Sequence, residues 1–329
     1  MKKTGLILIG VSILVAIIYI ATRDTFLAYI PNVKDGTISV IDTKNDKIVK
    51  TIKVDNQLSD GIEVSRDGKK IYAGNYDKGE LFIISADSGK IEKKIKTGKN
   101  LHGIDLTPDG RYLYLASGDF KEGEEYNYIS IVDTEKEKII DEIQTNSKSP
   151  SHIDFSSDGS LAYIANILSN EVSLLDTEKG EIVATIPVGT IPNEVEPSKD
   201  DQYLYVANVT DGTISIIDIV KKKEISSIRV GEGTHGLAIS PDGKYLYASN
   251  RESNDLIKLD LENNRIVDKV KTGKTANHVS YVPGEEKLYV TNKDSNDLTV
   301  VDDHSFKITK KLKLGKEPHE ISFSFITSM

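Results

Sequence analysis

The sequence predicts an all-β fold: a seven-bladed β-propeller of four-stranded antiparallel blades, its ring closed by the C-terminal strand, with one N-terminal hydrophobic helix. Three observations carry this. A short segment of the type Ser39-Val40-Ile41-Asp42 recurs, ending at Asp42, Ser85, Asp133, Asp176, Asp218, Asp260 and Asp302, a spacing of about 42 residues that matches a blade repeat. Each unit holds four short runs of alternating apolar and polar residues, the pattern of half-buried strands. The units are also cut out of phase, so the two ends of the chain complete one blade between them.

The elements follow in chain order. Lys2 and Lys3 precede an uncharged stretch from Gly5 to Ala21, and Arg23 and Asp24 follow it. Seventeen residues is the lower limit for a spanning helix, roughly 17–25 residues. Residues 1–24 are therefore expected to form a signal anchor, with a cleaved signal peptide as the alternative. No small-x-small cleavage pattern precedes Arg23, which favours the anchor. The two lysines orient the N-terminus to the cytoplasm. This sets the remaining domain, residues 25–329, on the extracytoplasmic side, in the periplasm or at the cell surface.

Within a unit, a first strand such as His235 to Ser240 runs into a turn built on Pro241-Asp242-Gly243, where proline presets the backbone and glycine accepts the left-handed conformation. The second strand, Tyr245 to Asn250, leads through a hairpin such as Asp211-Gly212 into a third strand like Thr213 to Asp218. A polar loop and a fourth strand, Lys223 to Val230, complete the unit. The first unit begins at its second strand, Ala28 to Asn32. An orphan first strand, His319 to Ser324, ends the chain. Joining the two removes the free edges of an open array. First strands near Asp60, His102, His152, Asn193, His235, His278 and His319 give the count of seven.

Composition excludes several functions. The net charge is -9 and lysines are interspersed with acids, so the clustered basic surface needed to grip nucleic acid is missing. The chain has no cysteine, which rules out disulfides, thiolate nucleophiles and thiolate-ligated metal clusters. No nucleophile elbow, HExxH, glycine-rich phosphate loop or calcium-loop motif is found.

The second strands contain Tyr205-Val206-Ala207-Asn208 and Tyr289-Val290-Thr291-Asn292. With the Pro-Asp-Gly turns and the Thr213 to Asp218 type of third strand, the sequence resembles the YVTN family of β-propeller repeat proteins across all seven units. The resemblance implies the propeller and an exported or surface-layer-like setting. It does not imply one activity, because related propellers include the haem-binding domain of a nitrite reductase, sugar-lactone hydrolases and a subunit of an amine dehydrogenase.

Candidate functional residues lie where first strands begin. His102, His152, His235, His278 and His319 recur there, with Asp60 and Asn193 in the other two units and Glu194 and Glu320 alongside. All are expected on one face, lining the mouth of the central channel. His235, His278, His319, Glu194 and Glu320 are the candidate ligands should a metal or haem bind. General acid–base chemistry is open to the same groups. A structural polar lining spread by duplication of the repeat is the favoured reading of the histidines. His304 falls in a loop on the opposite face and reads as solvated. The recurring asparagines Asn32, Asn75, Asn166, Asn208, Asn250 and Asn292, and the aspartates closing third strands, read as turn-forming residues. The third unit carries an insertion, Phe120 to Asn127, whose Phe120, Glu124 and Tyr126 offer a contact surface on the histidine face. The function expected from this is a membrane-tethered, monomeric, noncatalytic scaffold, binding a protein or a small molecule through that face. The competing expectation is a metal- or haem-dependent enzyme or redox protein.

Overall fold

A computed structural model describes residues 25–98, 100–118 and 127–326. They form seven four-stranded antiparallel sheets, and none of the described residues is helical. The expected anchor (residues 5–21) and the candidates Phe120, Glu124 and Tyr126 lie outside the described residues. Among the described residues no helix is long and apolar enough to cross a membrane.

The closing blade, blade one, is assembled from both ends of the chain. Strand Ser322–Ile326 pairs antiparallel with Thr25–Asn32, which continues to Thr37–Asp42 and Lys47–Lys53. In register, Ala28 faces Phe323 and Tyr29 faces Ser322. Blades two to seven follow in chain order, with first strands at Ile62–Val64, Leu101–Leu106, Pro150–Phe155, Pro192–Pro197, Thr234–Ile239 and Ala276–Tyr281. These first strands pack against one another around the axis.

The local chemistry follows the sequence. The turn glycines Gly110 and Gly243 adopt positive φ, 74° and 71°, where other residues are strained. Asp42 Oδ1 accepts from the backbone N–H of Lys44 at 2.9 Å, and Asp133 and Asp218 repeat the cap. Asn32 Nδ2 donates to Thr37 Oγ1 and Ser39 Oγ at 3.0 and 2.9 Å, and Asn208 does the same with Thr213 and Ser215. The asparagines thus tie second strands to third strands inside the sheet.

The core lies between blades, not within one. Tyr205, Ile214 and Ile216 of blade five pack on Leu237, Leu246 and Ile257 of blade six. At the closing seam Ala28, Ile30 and Ile41 meet Tyr289, Leu298 and Val300, with Ile321 and Phe323 against them. The buried second-strand tyrosines also bridge blades. Tyr247 donates to Asp303 in the next blade's loop, where Tyr281 donates at 3.1 Å and Lys258 Nζ at 2.7 Å. Asp46 receives Lys287 Nζ at 2.8 Å and the Tyr289 hydroxyl across the seam.

Candidate functional site

The first strands of blades three to seven enter through an irregularity, and blades one and two align with them by sequence. In blade four the register passes from Pro150 opposite Asn166 to Ile153 opposite Ile164, leaving Ser151 and His152 to share one partner position. Blades five, six and seven repeat this with Asn193 and Glu194, His235 and Gly236, and Asn277 and His278. A bulge of this kind adds a residue and breaks strict two-residue alternation.

The consequence corrects the expected single ring. His102, His235 and His319 occupy the first bulge position, whereas His152 and His278 occupy the second. At the second position the remaining blades carry Gly61, Gly103, Glu194, Gly236 and Glu320. Gly103 is required there, since a Cβ would sit 1.9 Å from the Ser151 carbonyl oxygen.

A second correction concerns exposure. The five candidate histidines do not line an open mouth. His235 is 1% exposed and His319 3%, and the other three are also buried. The imidazoles converge across the axis, with ring centroids 4.7 Å apart for His235 and His278 and 5.1 Å for His152 and His278. His102 and His319 join the same cluster at 5.1 Å from His152 and His278 respectively. Together they plug the channel. His304 is exposed, as expected.

Carboxylates surround the plug. Asp60 lies 3.1 Å from His102 Nε2 and 3.5 Å from His319 Nε2. Glu320 Oε1 is 2.6 Å from His152 Nδ1, and its Oε2 accepts from the Ile62 N–H at 3.2 Å. Glu194 Oε2 is 3.0 Å from His278 Nδ1 and 3.9 Å from His152 Nδ1. The far ring nitrogens, Nε2 of His152 and of His278, are buried without a hydrogen-bond partner. Asn193 is buried beside His235, 3.5 Å from its Nδ1.

Next to this layer is an axial cavity of about 190 Å³, lined by His152, His278, Glu194 and Glu320 and by a half-ring of acids from four consecutive blades: Glu63, Asp105, Asp154 and Glu196. Ser280 is the lining residue at the half-ring position in blade seven. Among the described residues no lysine or arginine lines the cavity. Its polar, acidic lining suits an ion with its waters or a small ammonium group. Sequence reasoning missed the half-ring. Its signal was present as an acid one residue past the bulge-closing aliphatic, in Ile62-Glu63, Ile104-Asp105, Ile153-Asp154 and Val195-Glu196.

Burial and crowding shape the charge state. Burial, reinforced by Glu320, pushes Glu63 up to about 8. Burial carries Asp154 and Glu194 up to about 7, and Asp105 and Glu196 go well above the usual carboxylate range by burial and by repulsion from Asp154. Burial depresses His278 to about 4 and takes His235 and His319 well below the ordinary imidazole value. Burial also lowers the Arg251 guanidinium, which is anchored on Asn277, to about 10.

These shifts give a pH prediction. A carboxyl with a raised folded pKa keeps a proton that the unfolded chain has lost. Its stabilisation is full below the unfolded value, about 4.3, and is lost as pH rises through the folded value near 8. The depressed histidines act in the opposite sense, but only below about 6.5. Between pH 6.5 and 8.5 the melting temperature is therefore expected to fall with rising pH. Glu63→Gln should flatten that slope, removing at most about 1.4 kcal/mol per pH unit. Calorimetry across this window checks it, and a flat wild-type profile contradicts it.

Comparison with known proteins agrees with the architecture. The family described as "Lactonase, 7-bladed beta-propeller" matches residues 15–321. An uncharacterized protein of Staphylococcus epidermidis is 30% identical over 149 residues, which is 40% of this chain and 43% of that protein. The uncharacterized protein YncE of Salmonella typhimurium is 27% identical over 180 residues, 53% of this chain and 48% of YncE. The chain thus spans less than half the length of these curated relatives. Among solved structures, Kuenenia stuttgartiensis hydrazine synthase superposes with a TM-score of 0.73 at 22% identity, covering 81% of this chain and 89% of that one. A functionally unknown protein from Desulfotomaculum acetoxidans gives 0.75 at 16% identity, covering 90% and 98%. The dihydro-heme d1 dehydrogenase NirN gives 0.67 at 15% identity, covering 90% and 74%. At these identities the likeness is one of fold.

Proposed function

Since the chain belongs to the seven-bladed β-propeller lactonase family, we propose that it is a binding propeller whose ligand seat is the axial cavity, and that the ligand is a small cation or the cationic end of a small molecule. One observation carries this reading: six carboxyl groups and two imidazoles face a cavity of about 190 Å³ that has no basic lining residue among the described ones. Burying carboxylates together is costly unless they are neutralised or paired. A bound cation supplies that compensation. The proposal keeps the setting read from the sequence, a monomeric YVTN-type propeller held by residues 5–21 on the extracytoplasmic side of a membrane, in the manner of exported surface proteins.

The test is the melting temperature of the full-length protein against magnesium, calcium, manganese, zinc and a polyamine. A ligand at 100 times its Kd should add about 2.7 kcal/mol to stability, and Glu194→Gln should weaken the effect at least several-fold. A protein whose melting point none of these moves at millimolar concentration would overturn the reading.

A second reading comes from the family's name and from one contact. Glu320 holds His152 through Nδ1 at 2.6 Å and leaves Nε2 without a partner. That arrangement orients an imidazole as a general base toward water and a lactone carbonyl. Hydrolysis of simple lactones that is abolished by His152→Gln and insensitive to cations would favour it.

A further inference from the structure

The second bulge position around the axis has a composition that duplication of the repeat does not explain. In three blades it is glycine: Gly61, Gly103 and Gly236. In the other four it is His152, Glu194, His278 and Glu320. Every side chain present at this layer is thus a metal-ligating type, and at the three glycines the neighbouring blade's backbone occupies the space a Cβ would take. Histidine inherited with the repeat, as in His235-Gly236, sits at the first position, so His152 and His278 are departures from it.

We propose that this layer is a binding site for a divalent transition-metal ion of zinc-like, borderline softness, held by His152, Glu194 and His278 with Glu320 alongside. The proposal rests on the cation-seat reading and narrows it to one ion class at one set of residues. Ligand atoms of His152, Glu194 and His278 all lie within 4.8 Å of one another. Glu194 Oε2 sits 3.0 Å from His278 Nδ1 and 3.9 Å from His152 Nδ1, without the geometry of a hydrogen bond to either. Glu320 holds His152 through Nδ1 at 2.6 Å, the carboxylate contact that orients a ligating imidazole, and leaves Nε2 as the nitrogen for the ion.

A second, independent observation points to a ligand. His152 and His278 are 2% and 5% exposed, line the cavity, and each keeps a buried ring nitrogen without a hydrogen-bond partner. Leaving such groups unsatisfied costs roughly 1–3 kcal/mol apiece. Two imidazoles with two carboxylates suit zinc, copper, nickel or cobalt, whereas an all-oxygen set would suit calcium or magnesium. Two carboxylates and two neutral imidazoles also balance a dication. The half-ring of Glu63, Asp105, Asp154 and Glu196 lines the same cavity and would draw a cation toward the site.

The experiment uses the full-length protein, stripped with chelator and titrated with zinc by calorimetry and with cobalt by visible absorption. One ion per chain is expected, with the ligand-field bands of low-symmetry cobalt. His152→Gln and His278→Gln should each weaken zinc binding by more than the roughly 100-fold that loss of an outer-shell partner costs. His304→Ala, on the exposed histidine, should change nothing. Pulsed electron paramagnetic resonance of the copper-loaded wild type should count two coordinated imidazoles, a readout that needs no variant to fold. Wild-type affinity in both histidine variants, or copper without imidazole ligands, overturns the metal site. Binding of calcium but not zinc overturns it while leaving the cation seat intact. Binding of neither overturns the metal site, and the cation seat falls with it when magnesium, manganese and the polyamine also leave the melting point unmoved.

Discussion

A chain ended at Glu317 is expected to lose about 3–6 kcal/mol of stability and to unfold without a single sharp transition. The deletion removes the inner strand of blade one, which pairs with Thr25–Asn32. It also removes the half-buried Ile321 and Phe323 from the seam cluster, where a fully buried side chain of this kind contributes roughly 1.5–3 kcal/mol. The backbone bond from the His319 N–H to the Pro31 carbonyl, 3.1 Å, goes with them. What remains is an exposed strand edge beside an apolar seam, which invites pairing with other chains. Thermal melts by circular dichroism and sedimentation of the truncated protein test this. A synthetic peptide covering residues 318–329 should restore the transition in trans. Cooperative unfolding of the truncated chain at the wild-type temperature would show that the seam holds without its last strand.

Asp303→Ala is expected to cost about 3 kcal/mol although the residue lies in a loop. Three donors converge on its carboxylate: the hydroxyls of Tyr247 and Tyr281 and the Lys258 ammonium. The Lys258 side chain is only 12% exposed, and removing one partner of a buried pair leaves a charge in low dielectric, at a cost of roughly 3–5 kcal/mol. Part of that should return in the double variant with Lys258→Met, which removes the stranded charge and keeps the packing over Tyr245. Denaturant unfolding of the two single variants and the double variant checks this. A loss below about 0.5 kcal/mol, typical of an exposed pair, would reduce the latch to decoration.

The blades were legible because their turns use residues with few alternatives. Turns such as Pro241-Asp242-Gly243, an asparagine ending six of the seven second strands and an aspartate ending six of the seven third strands define a unit without any knowledge of its neighbours. Closure was legible from the missing first strand at Ala28 and the surplus one at His319. The site was legible only as a set of residues. Its layering was not, because the bulge in the first strands of blades three to seven puts two consecutive residues where alternation allots one. His152 and His102 therefore read as equivalents when they are not. Burial was hidden for a related reason: five imidazoles from separate blades meet across the axis, and no local pattern records a contact between residues as distant as His152 and His278. The half-ring was overlooked because each acid, taken singly, reads as the polar member of an ordinary alternating strand.

The shared blade also has a consequence for biosynthesis. Tyr29 finds its neighbour Ser322 only after almost the whole chain has emerged. Six blades can form in turn as the ribosome delivers them, each packing on its predecessor, while the earliest strands wait without an inner partner. The nascent protein is thus an open arc until Ser322–Ile326 arrives. Its two most widely separated segments meet last, at the entropic cost that long-range pairing carries. Throughout that interval Thr25–Asn32 is the strand in greatest need of shelter from other chains.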